Sequence, residues 1–266
     1  MELMLLLGLI YLLIGTFAGL MAGMFGIGGG LIVVPGLVFV FQKINLVPSE
    51  LLMHVAVGTS LAVMVITTQA AVRAHHKMGN VLWPLFHKLW PGLFVGTITG
   101  AVTAAWVPAS WLKIFFALFL FLVAVKMLMD KDIEQSKQIP ADWIIHLFTL
   151  FVGISAAMLG VGGGILIVPF MVYCRVPTLK IAAISNLCAL TIAIIATIAF
   201  MITGIHETTD IAYMTGYIYW PAVFLVGIAS SLFAPLGTKL HYILPVQQLK
   251  YGFIVLLVLT GLKMLL

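Results

Sequence analysis

Charge is what this sequence has least of. Only 8% of its 266 residues are Asp, Glu, Lys or Arg, against about 25% in an average soluble domain, and 63% are hydrophobic. A membrane-spanning helix needs about 20 consecutive apolar residues, and such runs fill nearly all of the chain except a charged connection at 130–140. The deficit excludes a soluble globular domain and predicts an all-α polytopic membrane protein.

Cysteines and embedded carboxylates are also scarce. Cys174 and Cys188 are the only cysteines, too few for a disulfide framework or a metal site, so we interpret them as packing residues. No Asp or Glu lies deep in an apolar segment, and the sequence contains neither HExxH nor GxSxG. We therefore predict no catalytic residue, no metal site and no enzyme. The basic residues are scattered rather than gathered in a stripe, so we expect no nucleic acid as a partner.

The sequence does contain one glycine-rich segment that occurs twice. GMFGIGGGLIVVP at 23–35 returns as AMLGVGGGILIVP at 157–169, with seven of thirteen positions identical. Residues 107–128 and 244–265 are similar in the same way. An internal duplication follows, with a first membrane repeat at 1–130, a linker at 131–140 and a second membrane repeat at 141–266.

Each glycine run interrupts a helix. Residues 3–42 cover about two membrane thicknesses at 1.5 Å per residue, so we predict a helical hairpin with its bend at GIGGG. Each repeat is then a glycine-broken helical hairpin followed by three transmembrane helices. The predicted helices are 3–24, 30–42, 51–72, 89–106 and 111–129 in the first repeat, and 143–159, 164–175, 181–203, 219–237 and 246–265 in the second.

Two smaller patterns concern packing and helix starts. Glycines recur every fourth residue on two helices, which predicts faces where a neighbouring helix approaches closely. They are Gly15, Gly19 and Gly23 in one set and Gly92, Gly96 and Gly100 in the other. Aromatic residues fill 80–90 and 211–220 ahead of Trp90-Pro91 and Trp220-Pro221. We predict interfacial segments there, each followed by a helix that starts at the Trp-Pro pair.

The distribution of Lys and Arg bears on the orientation of the two repeats. With a hairpin and three spans per repeat, ten of the thirteen basic residues fall on one side, whereas four spans per repeat divide them seven to six. Basic residues concentrate on the cytoplasmic side of a membrane protein. The odd number of spans is therefore favoured, and it predicts two inverted repeats in the cell (inner) membrane, a cytoplasmic linker at 131–140 and both termini outside.

The glycine runs predict a binding site made of backbone groups. Leu31 and Ile165 stand where a phosphate-binding loop needs lysine, which excludes that motif. A helix broken at membrane depth leaves N–H groups unpaired, and it points the positive end of its dipole into a cavity. In inverted repeats the two bends approach from opposite faces, which predicts a shared midplane site for an anion. Its backbone residues would be Gly28, Gly29, Gly30, Gly162, Gly163 and Gly164. The alternative is that the glycines only permit tight bends and close packing.

The doubled Met-x-Gly-x-Gly-Gly-Gly run followed by Val-Pro, the repeats of about 130 residues and the small polar pairs after each run together resemble the sulfite exporter TauE/SafE family of permeases. The resemblance covers essentially the whole chain. It implies transport of a small anion, typically sulfite, sulfoacetate or a related organosulfur compound, and often outward.

Polar side chains within the spans extend the candidate site. Thr59-Ser60 aligns with Ser185-Asn186, and these side chains could donate hydrogen bonds to an anion. The resemblance implies Thr-Ser at this place, so the second pair departs from it. Gln69 lies in mid-span and needs a partner. Interhelical hydrogen bonding is the alternative role for such residues. His54 is a candidate for proton coupling, although a histidine at a helix end is more often simply interfacial.

We therefore predict a transporter that moves a small anion by alternating access, without a cofactor. The anion and the lipid bilayer are its expected partners, and a second copy of the chain stays open as a third. An anion channel would use the same site. A cation or metal transporter would need embedded ligands that the spans lack. A non-transporting membrane assembly subunit is the remaining alternative.

Overall fold

The computed structural model describes residues 2–25, 29–129, 140–209, 211–243 and 246–265. Gly28 lies outside these residues. So does 131–139, which makes up most of the linker predicted between the two repeats. The described part of the chain forms ten helices and one β-hairpin. The elements are α1 (Glu2–Phe25), α2 (Gly30–Lys43), α3 (Leu52–Lys77), α4 (Trp83–Trp106), α5 (Ala109–Leu128), α6 (Asp142–Leu159), α7 (Gly164–Tyr173), α8 (Thr178–Thr203), β1 (Met214–Thr215), β2 (Ile218–Tyr219), α9 (Trp220–Ile243) and α10 (Val246–Leu265).

The predicted all-α membrane architecture is confirmed. Among the described residues, seven helices are long and apolar enough to cross a membrane, namely α1, α3, α4, α5, α6, α8 and α9. The helices that follow the glycine runs, α2 and α7, are apolar but shorter than a span, with 14 and 10 residues. Each glycine run therefore separates a long helix from a half-length one, as the hairpin prediction requires.

The predicted start of α4 is wrong. This helix begins at Trp83 rather than at 89, so 80–90 is not a separate interfacial segment. The chain has a third Trp-Pro pair, Trp83-Pro84, and its proline lies in the first helical turn, where the missing N–H group costs nothing. Pro91, the proline that was predicted to begin the helix, lies inside it.

The interfacial prediction for 211–220 is also wrong in part. Met214 pairs with Tyr219 and Thr215 with Ile218 in an antiparallel hairpin. Its tip is buried, with Tyr217 only 4% exposed. Gly216, at φ +56°, makes the turn possible. Trp220 begins α9, as predicted.

Helices of the two halves pack against each other through glycine faces. Gly15 and Gly19 of α1 lie against the backbone of Val226 and Ser230 in α9. Their prediction as sites of close approach is confirmed. The same holds for a second set on α4, Gly92, Gly96 and Gly100, which lies against the α6 backbone at 146, 150 and 154. Because residue numbers rise together along both pairs, α1 runs parallel to α9 and α4 runs parallel to α6.

The centre of the molecule is an antiparallel crossing of α3 and α8, the two spans with the largest buried share. Gly58, early in α3, lies against Phe200, late in α8. Gly162 lies beside both Met64 and Ala189, which brings later residues of α3 close to earlier residues of α8. In the order of the two repeats, α1 corresponds to α6, α4 to α9 and α3 to α8. The α1–α9 pair therefore has its counterpart in the α4–α6 pair, and the central pair consists of two corresponding helices.

We expect the glycine face of α4 to be intolerant of even one methyl group. A Cβ on Gly96 would lie 2.9 Å from Leu150 Cα, a separation that forces the helices apart. Gly96→Ala should therefore lower the free energy of unfolding in detergent by about 1–3 kcal/mol. Gly252→Ala is the matched control, since this helical glycine has nothing within 4 Å of the added atom. It should be neutral or stabilising. Equal stability of the two variants would contradict the close approach.

Candidate functional site

The second glycine run forms a tight turn between α6 and α7. Gly160 ends α6 with φ +68°, and Gly163 precedes α7 with φ +66°. Other residues adopt this left-handed conformation only with strain. The turn is deeply packed, because a Cβ on Gly163 would lie 3.0 Å from Val152. Glycine is thus required here by both backbone conformation and space.

The first glycine run meets the second. Gly29 has an ordinary helical φ of −74° and precedes α2. Gly30 lies directly against the Gly160 carbonyl, and a Cβ on it would be 2.9 Å from the Cα of Val161. The start of α2 therefore lies against the turn that precedes α7. Of the six glycines predicted to form one site, Gly30 contacts the second run at Gly160 and Val161. Gly28 lies outside the described residues, and a common site for the others stays a prediction.

Both helix starts present backbone N–H groups without a backbone acceptor among the described residues. The N–H groups of Gly30 and Leu31 have no hydrogen-bond acceptor within the described part of the chain. The same is true, over those residues, of Gly162, Gly163, Gly164 and Ile165. All are buried. Unpaired buried N–H groups are rare because each costs about 1–3 kcal/mol. Concentrated at two helix starts, they form a region of positive potential.

Lys126 adds a charged group to the second turn. Its Nζ donates a hydrogen bond to the carbonyl of Ile165, in the first turn of α7. That carbonyl lacks its normal helical donor because the residue four positions later is Pro169, which has no N–H group. The lysine of α5 thus fills a gap that the repeated Val-Pro creates. The sequence alone suggested no individual role for Lys126, although the spacing of Ile165 and Pro169 signals a carbonyl without its helical donor.

Thr59 and Ser60 lie beside the paired turns and are fully buried. Ser60 Oγ donates to the Gly160 carbonyl at 2.9 Å. Thr59 Oγ1 accepts a hydrogen bond from the backbone N–H of Tyr219 at 3.1 Å. Both hydroxyls therefore connect segments of different halves in this structure. Ser60 reaches the candidate site directly, and Thr59 ties the same stretch of α3 to the β-hairpin.

The remaining polar candidates are less closely tied to the turns. Ser185 is buried in α8, and Asn186 donates to the Ala182 carbonyl of its own helix at 2.8 Å. The Gln69 side chain is exposed. One position earlier, the hydroxyl of Thr68 donates to the Met64 carbonyl. No contact joins Gln69 to the glycine turns among the described residues.

His54, for which an interfacial position was the alternative to proton coupling, is buried inside the protein. Its side chain is 4% exposed, and Nε2 contacts the carbonyls of Ala104 and Val107 at 3.1 Å. Both bonds require Nε2 to carry the proton. The imidazole therefore secures the end of α4, whose last carbonyls lack helical partners. Its ring also packs at 5.3 Å from the ring of Tyr217. Burial, and secondarily the charge of Glu207, raises the pKa of Tyr217, so this phenol stays neutral.

The helical architecture with its candidate spans defines a polytopic membrane protein, and comparison with known proteins identifies it as a membrane transporter and gives its family. The chain belongs to the sulfite exporter TauE/SafE family, whose profile matches residues 11–264. It is 34% identical to a probable membrane transporter protein of Haemophilus influenzae, covering 97% of this chain and 98% of that protein. A probable membrane transporter protein of Methanocaldococcus jannaschii is 27% identical, covering 100% of this chain and 97% of the other. No solved structure matches the chain.

The contact between Lys126 and α7 makes a testable energetic prediction. Lys126→Met should cost about 1–3 kcal/mol of unfolding free energy, since the buried Ile165 carbonyl loses its donor. Pro169→Ala supplies the missing helical N–H, so the lysine should matter less in that background. A double-mutant cycle of unfolding free energies in mixed micelles measures the coupling. Equal costs of Lys126→Met in both backgrounds would rule out this role for the lysine.

Proposed function

We propose that this membrane transporter moves a small anion, sulfite or an organosulfonate such as sulfoacetate, by alternating access. The observation that carries the proposal is the contact between the two glycine segments, with Gly30 against Gly160 and Val161. In the proposed site the N–H groups at the starts of α2 and α7 would face one buried anion. The family of sulfite exporters, to which the chain belongs, supports the choice of anion.

The electrostatics of this region favour an anion over a cation. Each helix start carries roughly half a positive charge, and the low dielectric of the interior strengthens its effect. The ammonium of Lys126, held at the first turn of α7, has the same sign. Within the described residues no group of three or more His, Cys, Asp or Glu side chains could hold a metal ion. An oxyanion with several acceptor atoms suits the N–H groups of Gly162, Gly163 and Gly164.

Side chains near the turns would adjust the site rather than supply its charge. Ser60 holds the Gly160 carbonyl, so its hydroxyl fixes the backbone around which the anion would bind. Ser185, which aligns with Thr59, is buried in α8. We keep Thr59, Asn186 and Gln69 as further candidate substrate contacts and His54 as a candidate for proton coupling.

The packing supports two repeats of opposite orientation. If the halves had the same orientation in the membrane, the corresponding helices α3 and α8 would run parallel. They cross antiparallel, through the contacts of Gly58 with Phe200 and of Gly162 with Met64 and Ala189. Together with the ten-to-three distribution of basic residues, this favours inverted repeats in the cell membrane, with a cytoplasmic linker and both termini outside.

Substitution of the turn glycines should abolish transport without preventing insertion. Gly29→Val is the sharper variant, because Gly29 has an ordinary φ and a Cβ would meet Ala18 at a comfortable 3.6 Å. Gly163→Val adds backbone strain at φ +66°. Sulfite flux into proteoliposomes should fall by at least about tenfold in both, equivalent to ~1.4 kcal/mol. Gly252→Val, in open surroundings, should keep wild-type flux.

The same assay separates the proposal from its alternatives. Full flux in Gly29→Val and Gly163→Val would refute a site at the turns. Wild-type flux that neither saturates nor shows counter-flow would indicate an anion channel. No flux of sulfite, sulfate, thiosulfate, sulfoacetate, taurine or simple carboxylates in the wild type would favour an assembly subunit.

The orientation of the repeats has a test of its own. Reporters fused after Lys137 and after Glu207 should report opposite compartments, the first cytoplasmic and the second external. Alkaline phosphatase and green fluorescent protein, active on opposite sides, make suitable paired reporters. If both fusions report the same side, the inverted arrangement is wrong.

A further inference from the structure

The connection between α8 and α9 folds inward rather than over the surface. We call residues 213–219 the outer hairpin, since the inferred orientation places them on the external side. Tyr213 at its base is 72% exposed, whereas Tyr217 and Ile218 at its tip are 4% and 0% exposed. Connecting segments normally lie on the surface. The outer hairpin is therefore inserted into the protein with its tip buried and its base exposed.

The tip of the outer hairpin lies on one face of α3. The backbone of Tyr217 rests on Gly58, where a Cβ would lie 2.6 Å from the Tyr217 carbonyl oxygen. The N–H of Tyr219 donates to Thr59 Oγ1 at 3.1 Å. The ring of Tyr217 covers that of His54. Three successive contacts therefore follow α3 inward from its start.

The same stretch of α3 holds the second glycine turn. Ser60, next to Thr59, donates to the Gly160 carbonyl. A Cβ on Gly160 would lie 3.1 Å from Val57 Cα. Residues 57–60 thus have the outer hairpin on one side and the candidate anion site on another. A displacement of the hairpin would uncover the helix segment that borders the site.

The first half has no equivalent of the outer hairpin. Its corresponding connection, from α3 to α4, covers only 78–82 and contains no strand. Met78 and Gly79 in this connection are exposed. The two sides of the molecule are therefore closed by different means, although the spans around them correspond between halves.

We propose that the outer hairpin is the external gate of the transporter and opens by withdrawing from α3. This inference rests on the proposed transport function, because a gate needs a path to close. The hairpin lies against positions without side chains at Gly58 and Gly204, and the ring of Tyr217 packs on the rings of His54 and Phe200, so withdrawal has to separate these ring contacts. Thr208 Oγ1 donates to the Gly216 carbonyl at 2.8 Å and ties the tip to its own connection. The hairpin would consequently move as one piece.

A steric wedge beneath the tip tests this gate without a substrate. At Gly204 a Cβ would lie 2.6 Å from the N atom of Tyr217, and φ of −92° accepts alanine. Gly204→Ala should therefore push the hairpin outward while leaving the local backbone unstrained. Gly58→Ala is a second wedge from the opposite side. Gly252→Ala, with nothing near the added atom, is the matched control.

The readout is labelling of a buried reporter, Ser60→Cys, in a Cys174→Ala/Cys188→Ala background. A membrane-impermeant methanethiosulfonate is added to intact cells, where it reaches only the external side. Either wedge should speed labelling by about tenfold, as expected for a lowered cost of local opening. The parent and Gly252→Ala should label slowly and equally. If the wedges do not insert, Thr59→Val replaces them, because it removes the acceptor of the Tyr219 bond at constant size.

Labelling of every inserted variant at the parent rate would overturn the gate, even if sulfite is transported. Faster labelling, together with no sulfite flux in the wild type, would keep the gate and remove sulfite as the substrate. A second arm joins the hairpin tip to α8 in a Phe200→Cys/Tyr217→Cys variant with a short, reducible bis-thiosulfonate, since these two rings pack 6.1 Å apart. Sulfite flux should stop on cross-linking and return on reduction. Unchanged flux in the cross-linked protein would show that the hairpin has only a structural role and is not a gate.

Discussion

The arrangement of this protein depends on one backbone contact, that of Gly30 with Gly160 and Val161. Without side chains at these positions, two broken helices can end and restart against each other. The N–H groups at the starts of α2 and α7 have no backbone acceptor among the described residues. Isolated, such groups are only a cost. In the proposed site they would act together as an electrostatic feature that an anion satisfies, which agrees with membership of the sulfite exporter family.

Much of this fold is readable from residue patterns. Long apolar runs predict the spans, the glycine runs predict the two bends, and four-residue glycine spacing predicts the faces at Gly15 and Gly96, because these signals are local. Helix ends were harder where two signals compete. Trp83-Pro84 and Trp90-Pro91 both satisfy the rule for a helix start, and only the packed structure distinguishes the first as the start from the second as an interior proline.

Features of the site that arise from contacts between distant segments were beyond sequence reasoning. Lys126 looks like an ordinary basic residue near a membrane surface, and its role emerges only when α5 lies beside the carbonyl that Pro169 leaves unpaired. The inward fold of residues 213–219 was hidden for a similar reason. Tyrosines in a connection predict an interfacial position, yet Gly58 and Gly204 provide room for Tyr217 beneath the surface.

The glycine faces have a consequence for how the molecule deforms. Because α1 is bound closely to α9, and α4 to α6, each of these pairs joins one helix from each repeat. The most closely packed units of this structure are therefore mixed pairs, and they do not coincide with the sequence repeats. A repeat that moved alone would have to break the backbone contacts of both pairs.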